Sequence, residues 1–548
     1  MLRSHLFLTV LFSVAVNVLS GNVLAAQGAQ TSADDQTLAD DRTAAVQQTA
    51  AKIDALFAAA WQAENVTPTD TAGDAEYLRR VSLDLAGRIP AVSELREFLS
   101  DESPHKRAEV VERMLDSPAS VRNFTTVWRN ALIPQANDQP QFRGVIPGFE
   151  AWLWEHFSRG TPYNQIVREI ITAELNASAG PALFATTSPD AFFAVRELKP
   201  ENLASGTARA FLGVRLDCAQ CHDHPFDQWS QTQFWNMAAF YSGFAREEDE
   251  DEPANMMAIM QEDRERRTIA IPGTDEIVPA VFLTGTAPDW SRDAAASPRE
   301  ALADWIVDDN NPYFARMAVN RLWNQFFGRG IVDPVDDFSE NNPPSHPAVL
   351  DLLAEEFINS GYDYRHVVRI ITATRVYQLS SEQTDESQAD PIHFARSALR
   401  GLTPEQLFDS LAEATGFYQP FRSENPFVID MDTPRARFVD LFRDAAESSM
   451  DRETTILQAL AMMNGEFIGN ATSLEESRTL RAVVEFPVTD AEKLETLFLA
   501  ALSRQPTARE YETLTAYVRS GGATDDTDAA LTDVFWALLN SSEFLLNH

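Results

Sequence analysis

At five places in the chain a Ser or Thr is followed three residues later by Glu or Gln, and then by an apolar run. They are Ser230–Gln233, Ser297–Glu300, Thr403–Gln406, Thr489–Glu492 and Thr507–Glu510. In this pattern the hydroxyl accepts from a backbone N–H that the first helical turn leaves unpaired, and the acid or amide returns the bond. Such boxes are helix starts, and the residues behind them repeat with helical spacing. Leu494, Leu497, Phe498, Ala501 and Leu502 fall at i, i+3, i+4, i+7 and i+8. Further amphipathic helices are expected before Gly87, over Val92–Leu99, Lys106–Leu115, Val121–Ala131, Phe149–Phe157 and Asn164–Leu175, and over Glu201–Leu216 and Asp528–Phe544. The convincing strand signal is a pair of short runs around a turn within 267–284. The expectation is a mostly α fold: two helical domains joined by an acidic linker and a small β element.

Boundaries follow from composition. Arg3 and His5 precede an apolar run to Leu19, and Val23-Leu24-Ala25 fits a signal-peptidase site, so residues 1–25 read as a signal peptide. Residues 26–48 hold almost no large apolar side chain and read as a flexible leader. The first helical domain is expected over 49–245. The linker and β element, opening with the like-charge run Glu247–Glu252, occupy 246–295, and the second helical domain spans 296–548. No later stretch reaches about 18 apolar residues, so no membrane span is expected after signal cleavage. The expected location is periplasmic or secreted. A formal net charge of −38, with 4 Lys against 40 Arg, argues against nucleic acid as a partner.

The most chemically loaded stretch is Asp217-Cys218-Ala219-Gln220-Cys221-His222-Asp223-His224-Pro225-Phe226-Asp227-Gln228-Trp229, which holds both cysteines of the chain. Cys-x-x-Cys-His is the attachment pattern of haem c. Cys218 and Cys221 would form the thioethers and His222 would ligate the iron, with Met237 on the following helix as a distal candidate. On a helix, positions 218, 221 and 222 would share one face. The alternative is zinc or iron, held by the cysteines with His222 or His224, and with Asp223 or Asp227 as a further ligand or outer partner. A redox dithiol and a purely structural hub are the remaining readings. In the second half, Arg316, Asn320, Arg321, Arg329, Asp333, Asp336, Asp337 and His346 form either an ion-pair network or an anion clamp, and Asp336 with His346 could exchange a proton.

These motifs carry a resemblance. Tyr77–Pro90, Tyr163–Leu175, Asn202-Leu203-Ala204, Phe211–Leu216 and Cys218–Trp229 resemble the bacterial family domain of unknown function 1549, also described as cytochrome-like. Arg299–Val307, Phe314–Trp323, Phe327–Gly330, Asp336–Phe338, Asn342–Pro347, Tyr377–Ser381 and Leu402–Gly416 are similar to its partner, domain of unknown function 1553. The resemblance implies no particular reaction. It does imply an extracytoplasmic protein partner, because genes for such proteins often neighbour those of secreted hydrolase-like proteins. The function expected on these grounds is an exported haem-binding or redox-associated protein working with an extracytoplasmic enzyme. The alternatives are a metal-dependent enzyme acting on an extracellular polymer and a non-catalytic scaffold.

Overall fold

The computed structural model describes residues 42–175, 187–245, 262–291, 296–417, 433–443, 450 and 456–548. It is mostly α, with about 60% of residues helical and 3% in strands. The signal-peptide residues and the acidic run lie outside the described residues. The leader ends earlier than composition suggests, because residues 42–64 form a helix. Its apolar residues Ile53, Phe57 and Trp61 recur every four positions and are buried, which is why the segment leaves solvent.

Each capping box opens a helix. Gln231–Ala238, Pro298–Ile306, Pro404–Thr415, Asp490–Leu502 and Ala508–Arg519 all begin one residue after the Ser or Thr. The helix Asp74–Ala86 stops at Gly87, whose φ of 70° is a left-handed conformation that glycine adopts without Cβ strain. Three expected helices are shorter, and the one expected to reach Leu175 ends at Thr172. The one entering the cysteine stretch is regular over Pro200–Thr207, widens into a π-type turn over Ala208–Leu212 and ends at Gly213, three residues before the expected Leu216. The final helix runs over Thr527–Leu539 and stops short of Phe544. The two strands within 267–284 pair antiparallel, with Ile269 opposite Val278. A second pair, Arg400–Gly401 with Leu546–Asn547, joins residues far apart in sequence. Two-residue strands carry no local alternation that could announce them.

Buried apolar side chains gather into two clusters, and neither follows the division at 246–295. The larger runs from Val46 to Ala395 and includes Leu499, so it draws on both halves. Phe57, from the first helix, stacks on Trp323 with centroids 5.8 Å apart and lies 4.5 Å from His346. Burying a phenyl side chain there is worth about 1.5–3 kcal/mol. The smaller cluster gathers Leu402–Phe544 and takes in Leu83 and Ile89 from the first half.

Between the clusters lies a polar hub on the helix Asp74–Ala86. Asp84 has no exposed surface, and its carboxylate accepts from Arg400 at 3.0 Å, from the Tyr377 hydroxyl at 2.8 Å and from Asn547 at 2.8 Å. Arg80 donates to the carbonyls of Tyr377 and Leu379, both at 2.7 Å. Arg79 donates to the carbonyls of Ala501 and Phe544. The hub fastens one helix of the first half to four segments of the second, at 377–379, 400, 501 and 544–547.

Candidate functional site

The cysteine stretch is an exposed turn braced from behind. After Gly213 the chain runs without regular structure to a short 3-10 turn over Asp217–Gln220, and residues 221–228 continue as bends. The α-helical face expected to unite positions 218, 221 and 222 is therefore absent, because the helix has already ended at Gly213. Cys218 and Cys221 are free thiols, and both are exposed. His222 is exposed as well.

The bracing comes from the capped helix Gln231–Ala238. Its Ser230 hydroxyl accepts from the Gln233 N–H at 3.2 Å, and the Gln233 amide oxygen accepts from the Ser230 N–H at 2.9 Å. The Gln231 amide donates to the carbonyls of Gln220 at 3.3 Å and Cys221 at 3.0 Å. Trp235 adds its indole N–H to the Gln220 carbonyl at 3.0 Å. Ala219 is fully buried between the two cysteines. The backbone of the turn is thus held while the side chains at 218, 221 and 222 face water.

The other candidates sit differently. His222 Nδ1 is 2.8 Å from the carbonyl of Asp223, and His224 Nδ1 accepts from the Phe226 N–H at 3.3 Å. The Asp223 carboxylate accepts from the Gln231 N–H, and that of Asp227 from the Gln228 N–H. Each of these groups is hydrogen-bonded to backbone on its own. Among the described residues no group of three or more His, Cys, Asp or Glu is placed to hold a metal ion. Met237 is fully buried in the larger apolar cluster, whereas the thiols are exposed. Phe226, at the tip of the stretch, is 80% exposed.

The second half meets the turn along a seam. The Phe338 N–H donates to the Gly213 carbonyl at 2.8 Å. Gly213 has a φ of 70°, and a Cβ added there would lie 2.6 Å from the Phe338 ring, so glycine is required twice over. The Asn341 amide donates to the Phe226 carbonyl. Asp336 accepts from Arg209 and, at 2.6 Å, from Arg215. Burial would raise the pKa of Asp336, but the two arginines outweigh it and hold the carboxyl below its ordinary range.

The acid–base pairing of Asp336 with His346 does not form. Asp336 is taken by the arginines, and His346 packs on Phe57 and Phe394 with Nδ1 3.1 Å from the Ser345 hydroxyl. Burial, aided by His393, lowers the pKa of His346 to about 4. Arg316 pairs with Asp351 and Arg329 with Asp333. Asn320 bonds the backbone of Val332 in both directions. Most of this set is therefore an ion-pair and hydrogen-bond network. Sequence reasoning missed that Arg209 and Arg215, from the first half, complete it. Nothing local to those residues pointed to Asp336, more than 100 positions away.

Comparison with known families agrees with the motifs. Residues 52–246 match the family described as protein of unknown function (DUF1549). Residues 298–435 and 422–518 match the one described as protein of unknown function (DUF1553). No curated protein and no solved structure matches the chain.

Proposed function

We propose, for a chain that belongs to the DUF1549 family in its first half and to the DUF1553 family in its second, a redox-associated role built on covalent haem. The haem is held at the Cys218–His222 turn, in an exported protein that exchanges electrons with an extracytoplasmic partner. One observation carries the reading. Two free thiols and the adjacent imidazole are exposed on a short turn whose backbone is braced by Gln231 and Trp235.

The donor set fits the group. Cys218 and Cys221 have the spacing that captures the two vinyl groups of haem, and His222 follows immediately as an axial donor. When bound, haem supplies a one-electron iron couple. The residues of the chain do the rest. Gln231 and Trp235 keep the carbonyls at 220 and 221 turned inward, so the attachment side chains stay outward. Phe226 offers an exposed apolar face beside them. Met237 is committed to the core, so His222 is the axial ligand assigned to this chain. The zinc or iron reading has less support, since the candidate carboxylates and imidazoles are each already hydrogen-bonded to backbone.

The test is expression of the full chain in a host with periplasmic haem-attachment machinery. The expected result is a Soret band and a haem stain that survives denaturation, both lost in a Cys218→Ser/Cys221→Ser variant. A colourless wild-type chain, from cells that mature a co-expressed c-type cytochrome, would overturn the proposal. Stoichiometric zinc or iron in that colourless protein would favour the alternative.

A further inference from the structure

A polar cleft opens where the two halves meet at the end of the helix Asp74–Ala86, and it shares no residue with the cysteine turn. It encloses about 420 Å³, counting the part open to solvent, which suits a small ligand. One wall is the helix Pro118–Leu132. Val121, Phe124 and Trp128 on one side of it are buried, while Arg122, Thr126 and Asn130 line the cleft at i, i+4 and i+8. Another wall is the start of the helix Pro404–Thr415, with Glu405 and Asp409. Gln325 borders the cleft from the helix Phe314–Phe327. The walls are held before any ligand arrives. The Asn123 amide donates to the carbonyls of Asp84 at 2.8 Å and Leu85 at 3.2 Å, and the Gln406 amide donates to that of Leu83 at 3.0 Å.

The acids of this cleft are paired, and several of its donors are not. Asp409 accepts from Arg435 through both oxygens, at 3.0 Å each, and Glu405 accepts from Arg129 at 3.3 Å. Arg122 is exposed and makes no hydrogen bond or ion pair among the described residues. The Thr126 hydroxyl and the Gln325 side-chain amide likewise have no hydrogen bond among them. The Asn130 amide oxygen accepts from Asn137 at 2.8 Å, which leaves its own N–H groups to donate elsewhere. A carboxylate oxygen that accepts one hydrogen bond keeps a lone pair for another.

We infer that Arg122, Thr126, Asn130 and Gln325, with Asp409 and Glu405, form a binding site for a sugar acid, a compound of about one ring that carries a carboxylate and several hydroxyls. The Arg122 guanidinium matches a carboxylate in shape and charge. The hydroxyl of Thr126 and the amides of Asn130 and Gln325 donate to ring and hydroxyl oxygens. The carboxylates of Asp409 and Glu405 accept the hydroxyl hydrogens. A neutral sugar leaves Arg122 unanswered, and a plain carboxylate leaves the remaining groups unanswered. The site rests on the cleft alone and needs no haem.

Titration calorimetry on the full chain tests this with three probes: D-glucuronate, D-glucose and acetate. Glucuronate should bind saturably, about tenfold or more tighter than either of the others. Arg122→Gln should weaken glucuronate about tenfold and erase its advantage over glucose. Gln325→Ala should weaken both sugars about threefold, because it removes a neutral partner. Both side chains are unbonded in the free protein, so thermal melts of the two variants should match wild type. The Cys218→Ser/Cys221→Ser chain should bind glucuronate as wild type does, which keeps this result apart from the fate of the haem proposal. Three results would overturn the site. One is the absence of saturable heat with glucuronate, and another is equal affinity for acetate. The third is glucuronate binding that survives both Arg122→Gln and Gln325→Ala unchanged.

Discussion

The hub around Asp84 and the turn around Cys218 are both dense in polar side chains, yet they are built in opposite ways. At Asp84 both carboxylate oxygens are answered by partners inside the protein, and Arg80 and Arg400 each donate to a partner there. Burial pushes the Asp84 carboxyl up, and Arg400 opposes the shift. At Cys218 the backbone is answered, but the two thiols are not, and they face water. The first arrangement spends its chemistry on holding helices together. The second leaves its two thiols exposed and unbonded.

Mutation tests the contrast directly. Asp84→Ala leaves Arg400 buried without its countercharge, and breaking a buried pair in this way costs about 3–5 kcal/mol. The double change Cys218→Ser/Cys221→Ser, in the unloaded protein, alters only exposed groups and should stay within about 0.5 kcal/mol of wild type. Urea denaturation followed by circular dichroism measures both. Comparable losses in the two variants would break the comparison, because the turn would then be as structural as the hub.

A pH titration sharpens it. His346 sits against Phe57 in the larger core with its pKa lowered to about 4, while an unfolded chain binds the same proton near the ordinary value of about 6.5. Above that ordinary value both states are neutral and the group has no effect. Below it the unfolded chain gains a proton that the folded one refuses, so stability falls as the pH drops from about 6.5 towards 4. The expected loss is about 2 kcal/mol. Replacing His346 by Phe should remove that part of the slope, and the Cys218→Ser/Cys221→Ser chain should keep it. A slope unchanged by His346→Phe would mean that the core does not hold this imidazole neutral.

What sequence could and could not reveal follows the same division. The capped helices were legible because a cap and its apolar spacing lie within one turn of each other, as at Thr489–Glu492 and Leu494–Leu502. The cysteine turn was legible as chemistry, but its geometry was not. The helix ahead of it stops at Gly213, which takes the left-handed conformation with the Phe338 ring close against it, and Phe338 is distant in sequence. The sharing of Asp336 by arginines of the first half was hidden for the same reason. So was the hub, since Asp84 meets Tyr377, Arg400 and Asn547 only in the fold. Composition placed a division near the acidic run, whereas the buried side chains ignore it. Charge runs report solvation, and cores are assembled from residues that no short window contains.

The smallest expected effect concerns the brace itself. Ser230→Ala removes one member of the capping box and should cost about 1 kcal/mol. Its signature should be local. The helix Gln231–Ala238 carries the Gln231 and Trp235 donors that hold the carbonyls of the turn, so fraying its first turn loosens 219–224 before anything else. Hydrogen exchange at the Ala219 and His224 amides, which donate to the Leu216 and Trp229 carbonyls, should quicken. Exchange at the buried helix Asp74–Ala86 should not, because local openings of this size do not require the hub to open. Asp84→Ala should produce the inverse pattern, quickening exchange at the helix Asp74–Ala86. If Ser230→Ala quickens exchange equally at both places, the turn and the hub open as one unit. The brace would then have no role of its own in presenting the cysteines.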